Sequence, residues 1–433
     1  MLNSVKAKNI IYAVVTVLLV AFSYVHVIFT DLLAVWLLVF SIIKIAKTKN
    51  NMLLLLQLFM LIYSVVPILY FILNIPISPH QYLDLNQKAN MRLALQTQTV
   101  FVVAFLSWAP IESRYTFAGV FRPQKRHMAW LVSVLIMIGS LFFVNWRGVL
   151  SSMLKTYSIE TESSIIFDYF MVFTAANYFF CDAKVKRAVN IFLAVMVSLI
   201  CVLIGKRLTA VSLLLLVYIL HYDGKLKKRT IILGFIAGTM LFNAIQFTRI
   251  NQMPSLFNVL TGINIENGVF RSNSCDIWYA SEVIVKLISE KVFDWGFRLK
   301  SFLGTFLNAF LPSSLTPKEA LVNVYITENN LFPYTANGSL IGVSTYLWLS
   351  YPGVLLFAYL ISLLIRKGMS SRGKLSTLYT VLILATFPRW YTYNPRILFK
   401  FAFVAGVVYL CVWIVASSEV TKNRVRKRTN EKK

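Results

Sequence analysis

Residues 52–74 read MLLLLQLFMLIYSVVPILYFILN, 23 positions without a charge. Crossing ~30 Å of hydrocarbon takes about 20 apolar residues, so this stretch reads as a membrane-spanning helix. The whole chain follows it. Of its 433 residues, 58% are hydrophobic and 14% are charged, whereas soluble domains carry about 25% charged residues. An ordinary cytoplasmic enzyme and a disordered scaffold are both excluded on that composition. The net charge of +26, from 43 Lys and Arg against 17 Asp and Glu, would suggest nucleic acid only if the cations clustered on one soluble face.

Working outward, twelve runs qualify as candidate spans: 10–29, 32–46, 52–74, 93–111, 128–146, 165–181, 188–204, 208–222, 230–248, 338–366, 375–388 and 396–417. The first is not a cleavable signal peptide, since no small-x-small site follows it and a second run begins at once. Residues 338–366 read either as one kinked helix or as a short outer helix followed by a span. The expected fold is therefore an all-α polytopic integral membrane protein of about 12 transmembrane helices. Residues 1–248 hold nine spans, 249–337 a large outer, periplasmic loop, 338–417 three more spans and 418–433 a basic cytoplasmic tail.

Sidedness follows from the rule that Lys and Arg of short loops stay in the cytoplasm. Twelve spans with a cytoplasmic N-terminus put 27 cations and only five acids inside. An odd count would place several basic clusters outside, so both termini are expected in the cytoplasm. The 249–337 loop carries seven cations and seven acids and is aromatic-rich, which reads as a small folded cap. Within it Leu299, Phe302, Leu303, Phe306, Leu307 and Phe310 form a helical stripe too short to span, suited to lying on the outer membrane face or roofing a cavity. Residues 280–292 repeat the pattern more weakly.

The informative cations are those the topology rule does not require. Gly205-Lys206-Arg207 forms an outer hairpin tip, Arg249 closes the ninth span, and the turn between the last two spans holds Arg389 and Arg396, with Lys400 one helical turn on. Interfacial anchoring explains any one of them. It does not require cations at a two-residue outer tip, whereas a guanidinium fork suits the paired oxygens of a phosphate. An anionic ligand at the outer leaflet, such as a lipid diphosphate, fits that set. Asp168, the single carboxylate inside a span, reads as a partly solvated structural acid, and the loop offers Glu266, Asp276, Glu282, Glu290, Asp294, Glu319 and Glu328 as general bases. Glu328 is favoured because it leads into the aromatic segment before the tenth span. Tyr334, Asn337, Trp390 and Tyr391 are candidates for contact with sugar, since rings stack on sugar faces. Four dispersed cysteines and four dispersed histidines give no disulfide framework and no metal-ligand spacing.

Together, the Gly-x-Arg tip, Arg249 and the stretch Ala336-Asn-Gly-Ser-Leu-Ile-Gly-Val-Ser-Thr-Tyr-Leu-Trp-Leu-Ser-Tyr-Pro-Gly353 resemble the Wzy family of bacterial polysaccharide polymerases. The resemblance implies a metal-independent, cofactor-free membrane glycosyltransferase of the C-type superfamily in the bacterial cytoplasmic (inner) membrane. It would join undecaprenyl-diphosphate-linked oligosaccharides, as donor and acceptor, into an O-antigen or capsule-type polymer, with membrane lipids and a chain-length regulator as partners and no nucleic acid. Lys206, Arg207 and Arg249 would hold diphosphate. Arg389 and Arg396 are added to them from topology. Two relatives in layout are an O-antigen ligase, which typically has a His in its outer segment, and a twelve-span flippase, which typically shows two similar halves. This chain has no His beyond His221 and no visible repeat.

Overall fold

The computed structural model describes residues 2–430 apart from 76, 78–86, 116, 118–122, 155–165, 224, 250–254, 262–263, 267–268, 312–337 and 372. The chain is helical, and each of the twelve apolar runs falls on a helix. Among the described residues, five helices are long and apolar enough to cross a membrane: Val27–Lys47, Asn51–Phe71, Lys184–Leu203, Ile341–Ser370 and Arg396–Val415. Four shorter apolar helices, Ala7–Phe22, His127–Phe142, Arg207–Tyr222 and Lys374–Ala385, accompany them. One departure from an all-α chain is a two-stranded antiparallel hairpin, β1 (Asn264–Glu266) with β2 (Val269–Arg271).

The chain divides into two compact units. The first comprises Met1–Arg114, Lys227–Lys367 and Pro388–Ile397. Its helices are α1 (Leu2–Phe22), α2 (Val27–Lys47), α3 (Asn51–Phe71) and α4 (Gln87–Trp108), all packed on one another or on a shared neighbour. The second comprises Tyr115–Leu226, Gly368–Phe387 and Leu398–Lys433. It holds α5 (His127–Phe142), α6 (Trp146–Leu154), α7 (Ile166–Tyr178), α8 (Lys184–Leu203) and α9 (Arg207–Val217), the last continuing into a wider π turn over Tyr218–Tyr222. Local chemistry sets several starts. Asn50 Oδ1 accepts from the Met52 and Leu53 amides at the head of α3, and His26 Nδ1 accepts from the Ile28 amide at the head of α2.

The first unit continues with α10 (Lys228–Arg249), α11 (Leu256–Thr261), the hairpin, α12 (Asn273–Ser289) and α13 (Trp295–Phe310). The described part of the 249–337 segment thus belongs to this unit. Ser272 and Asp294 cap α12 and α13 by accepting from the Cys275 and Phe297 amides. Every residue of α12 from Ile277 to Val285 is buried, so the helix lies inside the packing against α3 and α4 rather than on a surface. Its anchor is Trp278, fully buried, whose indole donates to the Tyr63 carbonyl midway along α3 at 2.8 Å. The α13 stripe behaves differently. Leu299, Leu303 and Phe310 are exposed, while the small and polar face, Arg298, Ser301 and Ala309, is buried. That inversion suits a helix whose outer face meets hydrocarbon.

The last elements are α14 (Ile341–Ser370), α15 (Lys374–Ala385), α16 (Phe387–Thr392) and α17 (Arg396–Asn430). α15 packs on α7 and α9 within the second unit.

Replacing Trp278 with Ala should cost about 3–5 kcal/mol. Cys181, Cys201 and Cys275 are buried free thiols, so unfolding in detergent can be followed with a thiol-reactive fluorophore. The variant should melt several degrees below the parent, and an unchanged midpoint would mean that α12 lies outside the core.

Candidate functional site

The segment that resembles the polymerase family runs through α14, which is not one continuous helix. Leu349 (φ −135°, ψ 23°) and Ser350 (φ 55°, ψ −153°) leave helical geometry and divide it into residues 341–348 and 351–370. Residues 341–370 are thus two helical segments that meet at a kink. Pro352 explains part of the break, because it has no N–H to return to the Trp348 carbonyl. Ser350 adopts a backbone conformation that is otherwise almost confined to glycine and costs about 1–3 kcal/mol.

Arg298 on α13 compensates. It is 5% exposed, and its guanidinium donates from Nε to the Leu347 carbonyl and from Nη2 to the Tyr346 carbonyl and Ser350 Oγ at 2.9 and 2.8 Å. These are carbonyls that an interrupted helix leaves without an amide donor. Trp295 stacks beneath the same guanidinium, 3.9 Å from ring centroid to Cζ. At the other end of the short helix, Gly342 N–H donates to Gln98 Oε1 at 3.1 Å, and the Leu340 amide donates to Ser281 Oγ on α12 at 3.0 Å.

Gln98 belongs to a run of four buried polar residues in α4, Gln96-Thr97-Gln98-Thr99. Its Nε2 donates to the Tyr391 hydroxyl at 2.6 Å, while Gln96 accepts from the Tyr351 hydroxyl at 3.0 Å and donates to Ser23 at 2.7 Å. Two arginines singled out from sequence stand in this unit. Arg389, on α16, and Arg396, the first residue of α17, are both half-buried. Their turn is fixed by amides of Tyr393 and Asn394 donating to the Arg389 carbonyl at 3.0 Å, and by the Arg396 amide donating to Asn394 Oδ1 at 3.0 Å. Gly338 lies flat against it. A Cβ there would meet Tyr393 Cδ1 at 2.7 Å and the Thr392 carbonyl at 2.9 Å, so only glycine fits without displacement.

Trp390 and Tyr391 correct an expectation. They are 0% and 1% exposed, with Trp390 against Phe105 and Tyr391 against Tyr63, and so they fill the core instead of offering a face to sugar. Arg249 ends α10. Glu328, Tyr334 and Asn337 lie outside the described residues.

Glu282 on α12 is an acid that the sequence did not distinguish from its six neighbours in the loop. It is 3% exposed, and its Oε1 has no hydrogen-bond partner among the described residues. Burial pushes its carboxyl from 4.5 up to about 8, opposed by Lys286 one turn along. The visible signal was a carboxylate inside an apolar helical segment. For Gln96 and Gln98 it was a polar run interrupting an apolar span.

Lys206 and Arg207 belong to the second unit. The tip ends α8 through a paired turn in which the Gly205 amide donates to Val202 O and the Lys206 amide donates to Cys201 O at 3.1 and 2.8 Å. This turn needs a left-handed residue, and Gly205 has φ 84°. Arg207 then opens α9, half-buried, and Thr209 two residues on donates to Asp168 Oδ1 at 2.6 Å. Asp168 is 9% exposed, a structural carboxylate that pins α9 to α7. Among the described residues no group of His, Cys, Asp or Glu could hold a metal ion. Comparison with protein-family models, characterised proteins and solved structures finds no match.

Three variants probe this arrangement. Arg298→Ala should destabilise by about 3–5 kcal/mol and Arg298→Lys by nearly as much, because a lysine cannot serve three acceptors from one plane. Retention of the parent midpoint by Arg298→Ala would contradict the capping role. Glu282, with its folded value raised above 4.5, keeps a proton that the unfolded chain releases, so stability falls as pH rises from about 4.5 through about 8. Glu282→Gln should flatten that decline by a few kcal/mol in melts recorded from about pH 5 to about pH 9. A parallel decline in parent and variant would contradict it.

Proposed function

We propose that the chain is an integral-membrane glycosyltransferase that polymerises undecaprenyl-diphosphate-linked oligosaccharides on the outer face of a bacterial inner membrane. It would have about twelve spans and cytoplasmic termini. The observation that carries this is the packing of Gly338 on Thr392–Tyr393. It joins the segment that resembles the polymerase family to the turn bearing Arg389 and Arg396, two stretches singled out on separate grounds.

In this mechanism Arg207 and Arg249 hold the donor diphosphate, helped by Lys206, and Arg389 and Arg396 receive that of the second lipid. The leaving group is itself a diphosphate. Fixed guanidinium groups around its developing charge can therefore lower the barrier, provided that the acceptor hydroxyl is held in line. The acceptor proton needs a base, and Glu328 is the proposed one. The buried junction of Gln98, Gly342 and Tyr391 supplies a rigid floor for the arginine turn.

Arg207→Ala should abolish long-chain polymer in cells, with protein level and single repeat units retained. Arg389→Ala should lower the polymer yield by tenfold or more, about the effect of losing one preorganised charge contact. Normal chain lengths in the Arg207→Ala strain would remove the assignment.

A further inference from the structure

The second unit carries a groove of about 470 Å³ between α5 and α7. Its walls are Ile136, Gly139 and Phe143 on one side and Ile166, Tyr169 and Phe173 on the other, each set at helical spacing on one face. The lining is apolar. Ser140 also borders it, but its hydroxyl is turned back onto the Met137 carbonyl at 2.7 Å. The groove is open above Gly139, where a Cβ would find no atom within 4 Å.

One end of the groove differs from the other. Just past the end of α5 at Phe142 and the start of α7 at Ile166, the lining ring of Tyr169 lies under Lys400 Nζ at 5.8 Å, and the buried ring of Phe167, behind the lining, lies under Lys206 Nζ at 5.9 Å. The acid at this end, Asp168, is engaged by Thr209. Bulk acyl chains cover any lipid-facing surface and require neither a defined trough nor a pair of ammonium groups at its head. An apolar slot about the size of a small-molecule site, with cations at one end, is complementary to a single-chain lipid bearing a phosphate.

We propose that the α5–α7 groove seats the tail of a polyprenyl phosphate, with Lys206 and Lys400 at its phosphate end. This rests on the polymerase assignment for its choice of an isoprenoid over a diacyl lipid. It adds a tail-binding subsite built from residues that the sequence did not single out, and it adds Lys400 to the phosphate contacts. Polyprenyl chains are methyl-branched and stiff, so a fixed trough beside Lys206 would also set the depth and direction of the phosphate.

The test uses the full-length protein in detergent and a photoactivatable polyprenyl monophosphate. Peptide mapping should place crosslinks on residues 136–143 and 166–173. Unlabelled polyprenyl phosphate should compete about tenfold better than the uncharged polyprenol, and Lys206→Ala with Lys400→Ala should erase that preference, the loss of one charge-assisted contact. Gly139→Trp should fill the trough and cut labelling by about tenfold or more. The crosslink map of the parent protein decides the matter even if that variant misfolds. Labelling that maps elsewhere, or equal competition by phosphatidylglycerol, would overturn the proposal. Crosslinking does not depend on sugar transfer, so labelled α5 and α7 without any polymerisation would remove the enzyme assignment and leave the groove, and polymerisation with labels elsewhere would do the reverse.

Discussion

A helix interrupted among apolar side chains must find partners for its freed carbonyls inside the protein, because hydrocarbon offers none. The break at Leu349–Ser350 meets this requirement through one buried guanidinium, Arg298, delivered by α13. Much of the first unit can be traced from that contact. α13 must pack its polar face inward, which turns its leucines outward, and the short helix 341–348 is held at its start by Gln98 and Ser281. Gln98 in turn binds Tyr391, fixing the turn that carries Arg389 and Arg396. A strained serine and a buried arginine are costly features for a merely structural helix.

The second unit solves a different problem, the placing of cations at a tight tip between two helices. The left-handed Gly205 lets α8 end at Leu203 and α9 begin at Arg207 with only three residues between them, so that Lys206 and Arg207 are presented by backbone geometry and not by a long loop. Asp168 completes this by holding Thr209, which fixes the first turn of α9. The carboxylate read from sequence as structural thus holds the helix turn that carries Arg207.

Apolar period and length made the helices legible, and all twelve runs lie on helices because a span of apolar residues has few alternatives. The Gly-x-Arg tip was legible for a similar reason, since glycine at a helix end is a local signal. The placement of 249–337 was not. Its balanced charge and aromatic content suggested a small folded cap, and the burial of α12 within it depends on contacts with α3 and α4 that lie about two hundred residues away in sequence. Trp390 and Tyr391 misled because interfacial and core aromatics have the same composition, and only tertiary packing separates them. Arg298 was counted among the loop's cations. Nothing in its local sequence says that its acceptors are backbone carbonyls some fifty residues on.

We propose that this chain catalyses transfer between two lipid-linked saccharides with cations in place of a metal. Incubating the purified protein in detergent with lipid-linked repeat units and a chelator tests it most directly, because transport has no meaning without a bilayer. Products lengthened by whole repeat units are predicted. Unchanged substrate, from protein that remains folded and monodisperse, would contradict the account.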